Sequence, residues 1–265
     1  MKNIINKDKF GPWAVITGAS SGIGKEFARQ LAISGLNLVL IARRLTLLED
    51  IGKHLEKEFG IQFLALEADL ATESSIEKIT KATSNLEVGL LVSNAGTGKP
   101  GKFLSFSEQE LRYILQLNAI SHLSLVHFFA RKMAARGKGG ILLSGAMGAI
   151  DGVPYMANEA GTKGYIQSLG KSLHTEFKES GINITVLITS PTETPVLGKL
   201  GFNKDNIPMK PLSVGQCVKE ALSAVCVNRT TVLPGLKYRI MNTIIPGSLS
   251  REMTGKIMKK NNRIN

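Results

Sequence analysis

The chain has 265 residues, 43% of them hydrophobic, and a net charge of +12 from 33 Lys and Arg against 21 Asp and Glu. That length supports one large core, so a single domain over residues 1–265 is expected. No apolar run approaches the ~18 residues of a membrane span, and the opening MKNIINKDKF lacks the apolar stretch of a secretory signal, so a cytosolic protein is expected.

In chain order, Trp13 to Ile16 is an apolar run that ends in a Gly-rich turn, and a helical stretch follows from about Gly24 to Ser34. Leu36 to Ile41 reads as a second buried strand, and Leu47 to Phe59 has helical periodicity. Phe63 to Leu66, Val88 to Val92, Gly140 to Leu143 and Ile184 to Ile188 are further strands, separated by helix-length segments. Strands alternating with helices mean crossover units, hence an α/β fold whose parallel sheet is covered on both faces. Thr189 to Pro211, rich in Pro, Thr, Gly and Asn, is the one long irregular stretch, and residues 190–215 are assigned as a lid over a substrate cleft.

Cys217 and Cys226, the only cysteines, lie nine positions apart in a helical stretch. A separation of about 13 Å prevents their bridging, and inert thiols are expected. His54, His122, His127 and His174 show no ligand-like pairing and are read as surface or packing residues, so no metal is expected. From Arg229 to the end, eight basic residues face Glu252 alone. Such a segment, 229–265, attracts membranes, nucleic acid or acidic substrates; no nucleic-acid partner is expected here. Leu249, Met253 and Ile257 recur at helical i, i+4, i+8 spacing. That row either packs on its own domain, the ordinary reading, or meets a membrane surface.

Thr17-Gly18-Ala19-Ser20-Ser21-Gly22-Ile23-Gly24 sits between the first strand and the first helix. Glycines there let the backbone turn tightly and approach a pyrophosphate, while the helix N-terminus offers unpaired N–H groups and partial positive charge. The second strand ends at Ala42-Arg43-Arg44, where an acidic residue would hold the ribose 2′-hydroxyl of NAD. A small residue followed by arginines suits a 2′-phosphate instead, because guanidinium matches phosphate in charge and fork geometry, so NADP(H) is the expected cofactor. Two solvated arginines opening a helix are the structural alternative.

With these motifs the chain resembles the short-chain dehydrogenase/reductases, from about Pro12 to Val196. Gly18, Gly22 and Gly24 match the family's TGxxxGxG. Asp69-Leu70 matches the acidic pair that contacts adenine, Asn94-Ala95-Gly96 the NAG motif, and Asn118 the active-site Asn. The family's Pro-Gly beyond the sixth strand is missing from Thr189-Ser190-Pro191-Thr192-Glu193-Thr194, and the resemblance implies carboxamide recognition through Thr192 and Thr194. It also implies a doubly wound, Rossmann-like, mainly seven-stranded parallel sheet. A homodimer or homotetramer, paired through helices near 106–136 and 155–180, follows by analogy.

The catalytic residues depart from the family. Lys163 matches its Lys, which puts the Tyr position at Glu159 and the Ser position, thirteen residues earlier, at Ala146. Tyr155 and Ser144 are the nearby hydroxyls that would have to stand in. Glu159 is expected to form an i, i+4 ion pair with Lys163. It is expected to be mostly ionised at neutral pH, and so unable to donate a proton, unless burial raises its pKa toward neutrality. Two functions therefore stay open. One is an NADP(H)-dependent oxidoreductase acting on a carbonyl or hydroxyl of an apolar small molecule, with Glu159 as an altered acid/base and Asn118 and Lys163 holding the ribose and a water relay. The other is a catalytically impaired or non-redox protein that keeps NADP(H) as a structural or sensing ligand.

Overall fold

The computed structural model describes residues 5–203, 206–207 and 209–264. After a short helix α1 (Lys7–Phe10), strand β1 (Trp13–Thr17) leads into α2 (Gly22–Ile33), β2 (Asn37–Ala42) into α3 (Leu45–Phe59), and β3 (Phe63–Glu67) into α4 (Glu73–Ala82). β4 (Val88–Ser93) is followed by a 3₁₀ turn (Phe103–Ser105), α5 (Glu108–Leu115), a π-helical turn (Gln116–Ile120) and α6 (Ser121–Ala134). β5 (Gly139–Ala146) precedes α7 (Ala157–Glu176), and β6 (Ile182–Thr189) precedes α8 (Pro195–Lys199) and α9 (Val214–Cys226). Then come β7 (Thr231–Val232), α10 (Leu236–Ile244) and α11 (Gly247–Asn261).

The strands form one parallel sheet in the order β3-β2-β1-β4-β5-β6-β7. This is the doubly wound arrangement that the resemblance implies, and the chain reverses direction across the sheet between β1 and β4. Crevices for dinucleotides open at the carboxyl ends of the strands at such a reversal.

Two apolar layers hold the sheet because successive strand residues point to opposite faces. Ala14, Ile16, Leu38 and Leu40 meet Phe27, Leu31 and Leu48 of α2 and α3 and Val218 and Leu222 of α9. Val15, Val39, Ile41 and Leu91 meet Phe129 and Met133 of α6 and Ile166 of α7 on the other face. β4 is buried at every position, as expected for a central strand covered on both sides.

Boundaries differ from the sequence reading by one to three residues at most strands, and β7 is a two-residue edge strand with too little apolar pattern to be read. The helix carrying Asn118 is not continuous, because the π turn at Gln116–Ile120 interrupts it. The stretch 190–215 contains α8 and a single bridge pairing Thr192 with Leu212; its residues 204, 205 and 208 lie outside the described residues.

α11 corrects the reading of the C-terminal helix. Leu249 and Met253 stand 47% and 46% exposed, and the face that packs is carried by Gly255 and Met258. Two small contacts explain the choice: Gly255 lies against Pro154, and the Arg251 guanidinium donates to the Asp151 carbonyl at 3.2 Å. Just beyond the helix, the Asn262 amide donates to the Leu200 carbonyl at 3.2 Å, so α11 spans the loop after β5 and the end of α8. On α10, Leu236, Ile240 and Ile244 are likewise exposed.

Buried Asn183 on β6 joins three elements: its amide donates to the Val225 carbonyl at 2.7 Å and its Oδ1 accepts from Lys9 Nζ at 2.9 Å. Asn183→Ala strands the buried carbonyl, and a loss of about 1–3 kcal/mol is expected, read as a lower midpoint in urea denaturation.

Candidate functional site: a dinucleotide cradle and a carboxyl beside it

The Gly-rich turn leaves β1 at Gly18, whose φ is +69°, and enters α2 at Gly22, whose φ is +53°. A Cβ on Gly24 would come within 2.2 Å of the Gly18 carbonyl, so side chains are excluded where the turn closes on itself. Ser21 occupies the N-cap of α2 without capping it through its side chain, and Ile23 packs against the core below. The opening N–H groups of α2 thus face the crevice. Across it, Thr194 lies over Gly22, with its methyl 3.3 Å from where a Cβ would stand.

At the end of β2, Arg44 donates to Ser20 Oγ at 3.0 Å and Arg43 donates to the Tyr113 hydroxyl at 3.1 Å. Tyr113 in turn reaches the Asp69 carboxylate at 3.3 and 3.4 Å, and Asp69 also caps the Ala71 N–H. Burial, then the charge of Asp69, raises the Tyr113 pKa and keeps the phenol protonated. Leu70 is buried in the core. Sequence reasoning missed Tyr113; the signal for it is its place on the apolar face of α5, beside Ile114 and one turn before Leu117.

The NAG segment is fastened from two neighbouring strands. Thr17 Oγ1 of β1 accepts from the N–H groups of Asn94 and Ala95, both at 2.9 Å, and Asn94 Oδ1 accepts from Ser144 Oγ of β5 at 3.2 Å. Beneath it, His122 of α6 is buried between Ser93 and the Ala95 carbonyl. The carbonyl can only accept, so Nε2 carries the proton and Nδ1 accepts from Ser93. Burial, followed by the charge of Lys163, pushes the His122 pKa down to about 3, which fixes a neutral ring.

Asn118 projects from the π turn and grips Thr97 on both sides: its Oδ1 accepts from the Thr97 N–H at 2.9 Å and its Nδ2 donates to the Thr97 carbonyl at 2.8 Å. Nδ2 also donates to Thr162 Oγ1 of α7 at 3.2 Å. Gly96 lies against Asn118 Oδ1 and Lys163 Nζ, and Gly98 lies against the Glu159 carboxyl so closely that a Cβ there would sit 1.6 Å from Oε2. Asn118, Lys163 and Glu159 thus line one three-residue segment, whose Gly96 and Thr97 are exposed.

Two expectations about Glu159 are corrected here. Glu159 and Lys163 form no ion pair: Lys163 Nζ donates to the Ser144 carbonyl at 2.8 Å, and Glu159 Oε2 is buried without a hydrogen-bond partner. The carboxyl is also not the low-pKa acid expected from proximity to a lysine. Burial outweighs the attraction of Lys163 and pushes its pKa up to about 7. Burial likewise lowers the pKa of Lys163, partly offset by Glu159. Ala146 presents a methyl at the Ser position while its carbonyl accepts from Gln167. Thr192 turns its hydroxyl onto the Ser190 carbonyl at 2.8 Å. On α9, burial pushes the Cys217 thiol up to about 12, which leaves it inert.

Beside Glu159 a cleft is walled by Phe103, Phe106, Leu111, Ile114 and Met156, with Tyr155 at its edge and about 360 Å³ of empty space, open mouth included. A larger hollow of about 990 Å³, measured the same way, lies between α9 and β7, but none of its lining residues belongs to a recognised motif. The chemistry gathers at the smaller cleft.

A family model described as short chain dehydrogenase matches residues 12–205. The chain belongs to the short-chain dehydrogenase family. A very-long-chain 3-oxoacyl-CoA reductase of Neurospora crassa is 32% identical over 237 residues, covering 88% of this chain and 70% of that protein. Its counterpart in Debaryomyces hansenii is 36% identical over 211 residues, covering 76% of this chain and 61% of that protein. The chain thus spans about two thirds of the length of these relatives. Among solved structures, a short-chain dehydrogenase from Sphingobium yanoikuyae in complex with NADPH superposes with a TM-score of 0.80 at 26% identity, covering 91% of this chain and 96% of that one. A 7beta-hydroxysteroid dehydrogenase shares the fold, with a TM-score of 0.85 at 22% identity and coverage of 97% and 99% of the two chains.

The raised pKa of Glu159 sets a pH dependence of stability. Below pH 4.5, its ordinary value, the carboxyl is protonated folded and unfolded alike. As pH rises toward 7 the unfolded chain releases the proton first and the native state loses stability. Between pH 5 and 8 the wild type should lose on the order of 1–3 kcal/mol more than Glu159→Gln, measured by urea denaturation of both proteins.

Proposed function

We propose that the protein is an NADP(H)-binding oxidoreductase acting on a carbonyl or hydroxyl of an apolar small molecule, with Glu159 in the proton-transfer role. The observation that carries this reading is the half-buried Glu159 carboxyl, with Oε2 sealed and its pKa pushed up to about 7, at the wall of an apolar cleft and beside the segment gripped by Asn118. A group of that pKa is half protonated at neutral pH, so it donates to a ketone oxygen in one direction and accepts from an alcohol in the other. NADPH held in the cradle would supply the hydride. The glycine turn and the open end of α2 fit its pyrophosphate, and Arg44 with Ser20 and Arg43 fits a 2′-phosphate. Lys163, adjacent to Gly96, offsets the charge on Glu159 once its proton has left. The apolar walls suit a greasy substrate, and the names of the curated relatives support a long acyl chain as one candidate.

Ala146 favours a second reading. Its methyl removes an oxyanion donor, an effect of order 10²- to 10³-fold in comparable sites, and the Ser144 hydroxyl is already committed to Asn94. On that reading NADPH is bound and not turned over.

Arg44→Ala together with Arg43→Ala should narrow the preference for NADPH over NADH by about 10- to 100-fold, read by quenching of the fluorescence of Trp13 or by calorimetry. For turnover, nicotinamide absorbance is followed with apolar ketones and 3-oxoacyl thioesters between pH 6 and 9. The expected result is a rate that declines above about pH 7 and falls at least 100-fold in Glu159→Gln. Binding of NADPH with no oxidation across the panel establishes the second reading. Under either, Glu159→Tyr with Ala146→Ser should raise ketone reduction and carry it to higher pH.

A further inference from the structure

The exchanges at 146 and 159 share an electrostatic sense that the carbonyl reaction leaves unexplained. A carbonyl gathers negative charge on oxygen as it is reduced, and a site for it offers hydrogen-bond donors. This one has replaced a hydroxyl by a methyl at Ala146 and put a carboxyl at 159. Glu159 lines the cleft walled by Phe103, Phe106, Leu111, Ile114 and Met156, and its Oε2 is buried against Gly98 without a hydrogen bond. A buried unsatisfied acceptor in an apolar wall is costly unless a ligand completes it. The neighbouring cations are already engaged. Lys163 on the same helix donates to the Ser144 carbonyl, and Lys99 at the cleft pairs with Glu110 at 2.9 Å. His122 below is neutral. Tyr155 also lines the cleft and brings only a hydroxyl, which carries no positive charge.

We infer that the cleft takes an apolar molecule carrying a positively charged nitrogen, an iminium on the reducing side or the corresponding amine on the other, with the Glu159 carboxylate as its counter-ion. The inference rests on the redox reading proposed above and names a substrate class for the same site. The chemistry suits the residues present. Hydride from bound NADPH forms a C–H bond at the iminium carbon, and the C=N π pair becomes the nitrogen lone pair. The products are a neutral amine and NADP⁺. No proton moves in that step, so neither a donor at 159 nor a hydroxyl at 146 is required. The carboxylate stabilises the cation before transfer, and the amine takes up a proton afterwards from Glu159 or water.

Two measurements test the inference, one of them independent of the cofactor. In calorimetric titrations of the protein alone at pH 8, 2-aminoindane should bind at least tenfold more tightly than its neutral isostere 2-indanol. Glu159→Gln should abolish that preference and Glu159→Asp should retain part of it, with thermal melts of both variants confirming that they are folded. In the second measurement NADPH oxidation is followed with 3,4-dihydroisoquinoline and with 1-tetralone, and the imine should react at least tenfold faster. Equal binding of amine and alcohol, or a preference that survives Glu159→Gln, overturns the counter-ion role. Reduction of tetralone without the imine overturns the iminium assignment and leaves the carbonyl reading standing. Oxidation of neither, with NADPH still bound, ends both redox assignments.

Discussion

The amide of Asn118 is the constraint on which the site depends. By taking both backbone groups of Thr97 it fixes the middle of the loop after β4, and by reaching Thr162 it sets that loop against α7. Lys163 and Glu159 are presented from α7, so their relation to the NAG segment follows from this one side chain. A regular helix at this position would satisfy its own carbonyls at four-residue spacing. The π turn at Gln116–Ile120 widens that spacing by one residue where Asn118 leaves the helix.

Burial then decides the chemistry. Both Lys163 and Glu159 lose water without gaining each other as a direct partner: the lysine spends a proton on the Ser144 carbonyl while one carboxyl oxygen is sealed. The cost falls on the charged form of each group, which is why the carboxyl titrates in a range foreign to surface glutamates. Two groups that would form a modest ion pair on an exposed helix face become a carboxyl with a raised pKa beside a lysine with a lowered one.

Much of the architecture was legible because buried parallel strands are nearly continuous apolar runs, and the glycine turn, the arginines after β2 and the NAG segment are local in sequence. Gly18, Gly22 and Gly24 close one turn, and Arg44 reaches Ser20 in it. Features that depend on tertiary contact were not legible. Tyr113 closes the Arg43–Asp69 gap across 70 and 44 positions of chain. The pKa of Glu159 depends on burial, and Gly98, which packs on its carboxyl, is far away in sequence, a proximity no spacing reveals. The face that α11 packs was misread for a related reason. The apolar row Leu249, Met253 and Ile257 is the better pattern, but contacts to Pro154 and Asp151 pull the small-residue side inward.

The final helix also ties together two distant parts of the chain, one of which supplies Tyr155 and Met156 to the cleft. Through Arg251 and Gly255 it holds the loop after β5, and through Asn262 it holds Leu200 at the end of α8. These regions are about 50 residues apart in sequence and share no strand, yet one rod bridges them. Displacing either segment therefore drags on the other through the rod, which must tilt or detach for the two to move independently. The rod that couples them lies outside residues 12–205, the span by which the family is recognised.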